Sequence, residues 1–183
     1  LRGYDVQADP TQRVMFGHGR VLPPEWRDFD NAYNAARLLT IKAARRLRRE
    51  GFLANTFGLW LNMQDDQWSG ETHIGNANDD HAALHALHAL WQKAEAELPR
   101  SLRIKRLNVA LYHIQPAGAE QFDMFNQNDA MRRKWASVCT AIDKVNHRNA
   151  KTLVSMGPWT PPPGGYAGGK IAFGRVPEME DFW

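Results

Sequence analysis

Cysteine is nearly absent from this chain. Cys139 stands alone among 183 residues, so no disulfide can close within the chain, and such usage fits a reducing compartment. No run of about 18 apolar residues occurs, which excludes a membrane-spanning helix. The N-terminal "LRGYDVQADP" has no apolar signal core and opens on Leu rather than Met. It reads as the internal start of a longer protein. There is no internal repeat, and Pro and Gly crowd together only in "PWTPPPGGYAGG", which is too dense in both for regular structure. What remains is 43% hydrophobic and 23% charged, the composition of a globular chain with room for one core and not for two ordinary domains.

The net charge of +3 conceals segregation. Residues 1–60 hold ten Lys/Arg against six Asp/Glu, residues 61–99 hold one against seven, and residues 100–108 hold four with no acid. Local basic segments in a nearly neutral chain point to a polyanion, with a solvated face as the plainer reading.

"RVMFGHGRVL" (13–22) reads as a strand in which Gly17 and Gly19 mark a bulge or a close backbone approach. A helix follows from about Asp28 to Gly51, with Ala32, Ala36, Leu39, Ala43 and Leu47 as its apolar stripe and Lys42, Arg45 and Arg49 on the other side. "LANTFGLWLNM" (53–63) alternates as a strand, and "QWSGETHI" (67–74) is a weaker strand after a turn at Asp65-Asp66. Asp79 and Asp80 can cap a second helix reaching about Leu98, with Leu84, Leu87, Trp91, Ala94 and Leu98 as its stripe. "SLRIKRLNVALYHI" (101–114) is a further strand, with Leu107, Val109 and Leu111 opposite Arg106, Asn108, Ala110 and Tyr112. A third helix from about Asn128 repeats Met131, Trp135, Val138, Ile142 and Val145. The order strand-helix-strand-strand-helix-strand predicts an α+β fold, a four-stranded sheet with two helices on one face and a helical extension after it. On this register Trp60 and Tyr112 share the helix-free face with Arg106.

Few side chains suggest catalysis. His81, His85 and His88 lie along one side of the second helix at a spacing that can hold zinc or nickel, but beside the leucine stripe and with no Cys nearby, so a flanking polar face is the better reading. "GGYAGGK" has phosphate-loop spacing but is followed by Ile171 where a hydroxyl is required. Asp65-Asp66 and Asp79-Asp80 read as turn and cap, and Cys139 as packing. The open sheet face with its basic segments is the stronger feature. Arg103, Lys105 and Arg106 enter one strand, while Arg13 and Arg20 flank the glycines of another. Glycine lets a phosphate reach main-chain N–H groups, and Arg or Lys then neutralises it, so the face suits a nucleic-acid backbone.

Several stretches together resemble a known family. "FGHGRVLPPEWR" followed by "AARLLTIKAARRLRREG" resembles the start of the little-finger domain of Y-family translesion DNA polymerases, in their UmuC-like ImpB/MucB/SamB branch. "IKRLNVALYHI" is similar to that domain's last strand, "QFDMF" to the pentapeptide that binds the sliding clamp, and "AIDKVNHRNAKTLVSMG" to the segment that follows that pentapeptide. "GGKIAFGRVPEMEDF" is similar to the C-terminal ending of related polymerases. The resemblance runs from about Thr11 to the end, and the order of the motifs is more specific than any one of them.

The resemblance implies a little-finger fold and a role in DNA repair and damage tolerance. DNA contacts would fall at Arg13, Gly17, His18, Gly19, Arg20, Arg103, Lys105, Arg106 and Asn108. It also explains an apolar cluster in what reads as a connector: Gln121 would enter a polar notch of the bacterial sliding clamp, and Phe122, Asp123, Met124 and Phe125 would complete the contact, with Phe122 and Met124 where leucine is usual. It implies residues 1–10 as tether, 11–116 as the DNA-binding domain, 117–126 as the clamp-binding loop and 127–183 as an extension. The catalytic palm, with its Mg²⁺-binding carboxylates, would precede Leu1. This part would hold no cofactor and no catalytic residue and act as a cytoplasmic, nucleoid-associated monomer on template-primer DNA, away from membranes. The rival readings are an interaction adaptor derived from an inactive polymerase, and the histidine metal site.

Overall fold

The structure, a computed structural model, describes residues 14–118 and 129–158. The elements are β1 (Met15–Val21), a 3₁₀ turn (Pro24–Trp26), α1 (Phe29–Arg49), β2 (Phe52–Asn62), β3 (Gln67–Ala77), α2 (Asp80–Glu97), β4 (Arg106–Pro116) and α3 (Asp129–Asn149). The strands form one antiparallel sheet in the order β1-β4-β2-β3, so the last strand in sequence is central. α1 and α2 pack on the sheet and on each other, and α3 lies against α2. The α+β architecture is as the sequence predicts.

Local chemistry sets the helix boundaries. The Asp28 carboxylate accepts from the Asn31 N–H at 2.9 Å, and that of Asp79 from the Ala82 N–H at 2.8 Å, capping α1 and α2. Gly51, at φ 72°, turns the chain out of α1 as few other residues could. The stripe Ala32, Ala36, Leu39, Ala43 and Leu47 is wholly buried. Its alanines bring the helix close to the sheet, and each leucine adds about 1.5–3 kcal/mol of apolar burial. Leu59 and Leu61 of β2 face Leu107 and Val109 of β4 in the same core.

Four elements depart from their expected form. β1 has an unbroken register with β4, so its glycines mark close approach and no bulge. β3 runs on to Ala77 because a bulge absorbs its excess length. Pairing shifts between Ala54↔Ala77 and Thr56↔His73, with Gly75 and Asn76 at φ 67° and 57°. β4 starts at Arg106 because the residues before it are tied to the turn region ahead of α1: the Ile104 N–H donates to Arg27 O at 2.8 Å, and Arg103 Nη2 to Pro24 O at 2.6 Å. The core side of α2 is Ala83, Ala86, Leu87, Leu90, Trp91 and Ala94, with Leu84 and Leu98 at its margin.

α3 is turned from its expected orientation. Met131 and Val145 of the predicted stripe are exposed, whereas Cys139 and Asn146 are fully buried. The docking side is polar because its partners are polar. Arg48 of α1 holds Asp143 through two nitrogens, at 2.8 and 3.0 Å, and reaches Asp80 of α2 at 2.6 Å. The Asp80 N–H donates to Cys139 Sγ, and the Trp135 ring stacks on His81 at 4.4 Å. Arg45, expected on a solvated side, is drawn to Asp143 at 3.4 Å with its side chain only 14% exposed.

Candidate nucleic-acid interface

Strand alternation and register build the face opposite the helices as a grid of four rows. Val21, Arg106, Asn62 and Gln67 form the first row, and Gly19, Asn108, Trp60 and Ser69 the second. Gly17, Ala110, Gly58 and Glu71 form the third, and Met15, Tyr112, Thr56 and His73 the fourth. No large aliphatic side chain occupies its centre, which leaves polar groups, glycines and two aromatic rings.

Of the predicted DNA-binding residues, Gly17, His18, Gly19, Arg106 and Asn108 come together here. They line a shallow recess of about 590 Å³ with Met15, Trp60 and Arg46. By strand parity His18 and Arg20 leave β1 on the side of Phe16, and His18 lines the recess from that edge strand. Lys105 precedes β4, its carbonyl accepting from the Leu22 N–H at 2.7 Å and its N–H donating to Asn62 O at 2.8 Å. Arg103 sits beyond the sheet end, bonded to Pro24 O. Arg13 and the clamp-binding residues Gln121, Phe122, Asp123, Met124 and Phe125 lie outside the described residues.

The glycines do more than open the backbone. A Cβ on Gly19 would lie 2.0 Å from Asn108 Oδ1, so the Asn108 carboxamide lies across that position. A Cβ on Gly17 would lie 3.1 Å from Val109 O. On β2, a Cβ on Gly58 would strike the Trp60 ring at 2.5 Å and the Tyr112 ring at 3.1 Å. The two rings, with centroids 6.4 Å apart, thus lie over a glycine floor. The Tyr112 hydroxyl donates to Glu71, and its pKa is pushed up to about 12, first by burial and then by that carboxylate. Trp60 and Tyr112 form an aromatic platform beside Arg106, a surface on which unstacked bases can rest. The alternation of β2 and β4 already placed both rings there; Glu71, His73 and Gln67 escaped notice because β3 alternates weakly.

The histidines of α2 do not form a metal centre. His81 stacks on Trp135 and His88 meets the Tyr33 hydroxyl at 3.3 Å. Among the described residues no three His, Cys, Asp or Glu side chains converge as metal ligands. Among them also, no helix is long and apolar enough to cross a membrane.

An α+β domain whose four-stranded antiparallel sheet, among the described residues, carries its helices on one face is the class that the geometry defines. Residues 13–124 match the impB/mucB/samB family C-terminal domain, and the chain belongs to that family. It is 25% identical over 144 residues to DNA polymerase IV of Moorella thermoacetica, covering 75% of this chain and 33% of that protein. The chain therefore spans about a third of the length of the curated relative it matches. Among solved structures, it is similar to the little finger domain of PolIV in complex with the beta-clamp processivity factor, at 14% identity and a TM-score of 0.42, covering 61% of this chain and 98% of that one. It is likewise similar to DinB from Sulfolobus solfataricus, at 16% identity and a TM-score of 0.42, covering 54% and 28% of the two chains.

Proposed function

We propose that this chain is the little-finger part of a translesion DNA polymerase, gripping the backbone of template-primer DNA with its open sheet face and docking to the bacterial sliding clamp through Gln121–Phe125. On this reading residues 11–116 bind DNA, residues 117–126 present the clamp ligand, and residues 127–183 extend the domain. Nucleotidyl transfer on Mg²⁺ belongs to a separate palm domain, and no step of the reading uses a metal in this chain. One observation carries the DNA assignment: family membership coincides with a helix-free face on which Arg106, Asn108 and the Trp60–Tyr112 platform converge beside Gly17 and Gly19. Phosphate contacts hold a strand without reading its bases, so binding is expected to be weak, tolerant of sequence and sensitive to salt.

The salt dependence supplies the test. Each phosphate neutralised contributes about 0.9 to the slope of log K against log salt. Arg106→Ala should flatten that slope by about one unit, equally for unrelated sequences. Lys93→Ala, changed on the exposed side of α2 and so on the helical side of the sheet, should move it much less. Equal losses from both variants would remove the sheet face as the contact surface.

A further inference from the structure

Trp60 is out of place for a tryptophan. Trp26, Trp68 and Trp91 are buried to 7% exposure or less, whereas Trp60 stands 36% exposed. It belongs to β2, one of the two central strands, on the face away from α1 and α2. Its ring turns back over Gly58, where it meets Tyr112 of β4. Tyr112 is held from two sides. Its hydroxyl donates to Glu71 of β3, and His113 lies against its ring with centroids 5.0 Å apart. His113 departs from regular strand geometry at φ 52°, and its Nδ1 lies 3.0 Å from Thr56 Oγ1. Rings fixed in this way need little further ordering when a flat group settles on them.

Charge is graded along the same face. Arg106 and Asn108 occupy the first two rows, and Glu71 stands in the third beside the rings. A phosphate is attracted at the first end and repelled at the second. A strand crossing the face therefore offers phosphates to Arg106 and bases to the rings. Paired bases are stacked on their neighbours in a duplex and reach a ring only after unpairing and unstacking, which is costly. We infer that the Trp60–Tyr112 platform is a base-stacking subsite for unpaired nucleotides, which makes single-stranded DNA, and not duplex alone, a ligand of this face. The inference rests on the DNA-binding reading above and adds the bases to it. Every base has a π-face, so the subsite ranks strands by whether their bases are free and not by their sequence.

Arg106 and Tyr112 lie six residues apart on β4, roughly 20 Å at the strand rise, so a strand of about twelve nucleotides covers the face. Fluorescence anisotropy on the whole 183-residue chain compares a thymidine strand of that length, an abasic strand with the same phosphates, and a duplex. The thymidine strand should bind about tenfold more tightly than the abasic one, the scale of one stacked base. Trp60→Leu keeps bulk but loses the flat face. It should bring the two strands to within about twofold of each other and leave the salt slope unchanged. Trp60→Phe keeps a ring and should retain most of the preference, and melting curves check that each variant folds. Arg106→Ala should weaken both strands alike and preserve their ratio, so the phosphate contact and the base subsite fail independently. Equal binding of the thymidine and abasic strands by the unaltered chain would overturn the subsite, as would a preference that survives Trp60→Leu. A duplex that loses as much affinity as the single strand in Trp60→Leu would show that the ring meets paired DNA, and would overturn it too.

Discussion

At the scale of single residues, the open face is shaped by what lies over its glycines. Gly58 exists in a strand because Trp60 and Tyr112 occupy the space above it, and Gly19 because the Asn108 carboxamide does. Tyr112 gives this arrangement a measurable signature. Its phenol is shielded and hydrogen-bonded to Glu71, with a pKa of about 12 where an ordinary tyrosine titrates near 10. A folded-state pKa above the unfolded one means that the proton favours the fold. The contribution is complete below about pH 10 and is lost as pH rises through about 12. Titration followed by tyrosinate absorbance should show the Tyr112 phenol ionising late, with that of Tyr33 also delayed by burial. Glu71→Gln should bring the Tyr112 phenol earlier without restoring it fully, because burial is the larger cause. An unchanged Tyr112 phenol in Glu71→Gln would show that the carboxylate has no part in it.

At the scale of elements, α1, α2 and the strands were legible because their packing is apolar and periodic. The stripe of α1, the two aspartate caps and the alternation of β2 and β4 each follow from a local rule, and each is realised. α3 was legible as a helix but not in its rotation. Periodicity weighs only apolar positions and chose Met131, Val138 and Val145, whereas the docked side is set by Asp143 and Cys139 meeting Arg48 and Asp80 from distant parts of the chain. Nothing local in α3 announces a partner 95 residues away. Burial works against the Arg48 charge, but Asp80 and Asp143 outweigh it and hold its pKa above the ordinary value; burial in turn pushes the Asp80 carboxyl up. Arg48→Ala should therefore cost about 3–5 kcal/mol, since it strands a buried carboxylate. Arg48→Met combined with Asp80→Asn should cost well under the sum of the single changes in denaturant unfolding. Additive losses would mean that the two groups do not form one unit.

At the scale of the whole molecule, the sequence carried the face that would be open but not the full membership of that face. Placing β4 between β1 and β2 sets Arg106 and Asn108 next to Gly19 and Trp60, a neighbour relation that no stretch of sequence contains. His18 reaches the same recess from the edge strand although its parity is that of buried Phe16, which alternation alone does not announce. The clamp ligand is a different kind of element, read from a short motif alone, and its test must distinguish a ligand from a structural plug. Among the described residues, Phe16, Leu39, Phe57, Leu59, Leu87, Leu107 and others form one buried core. If Phe125 serves the clamp, burying its ring there is worth roughly 1.5–3 kcal/mol, and Phe125→Ala should weaken clamp binding about tenfold or more while melting stays near normal. If Phe125 instead plugs this domain, the same change should destabilise folding by about 3–5 kcal/mol. Clamp titration and thermal unfolding on that single variant separate the two, and a large fall in melting temperature with clamp affinity intact would end the ligand reading.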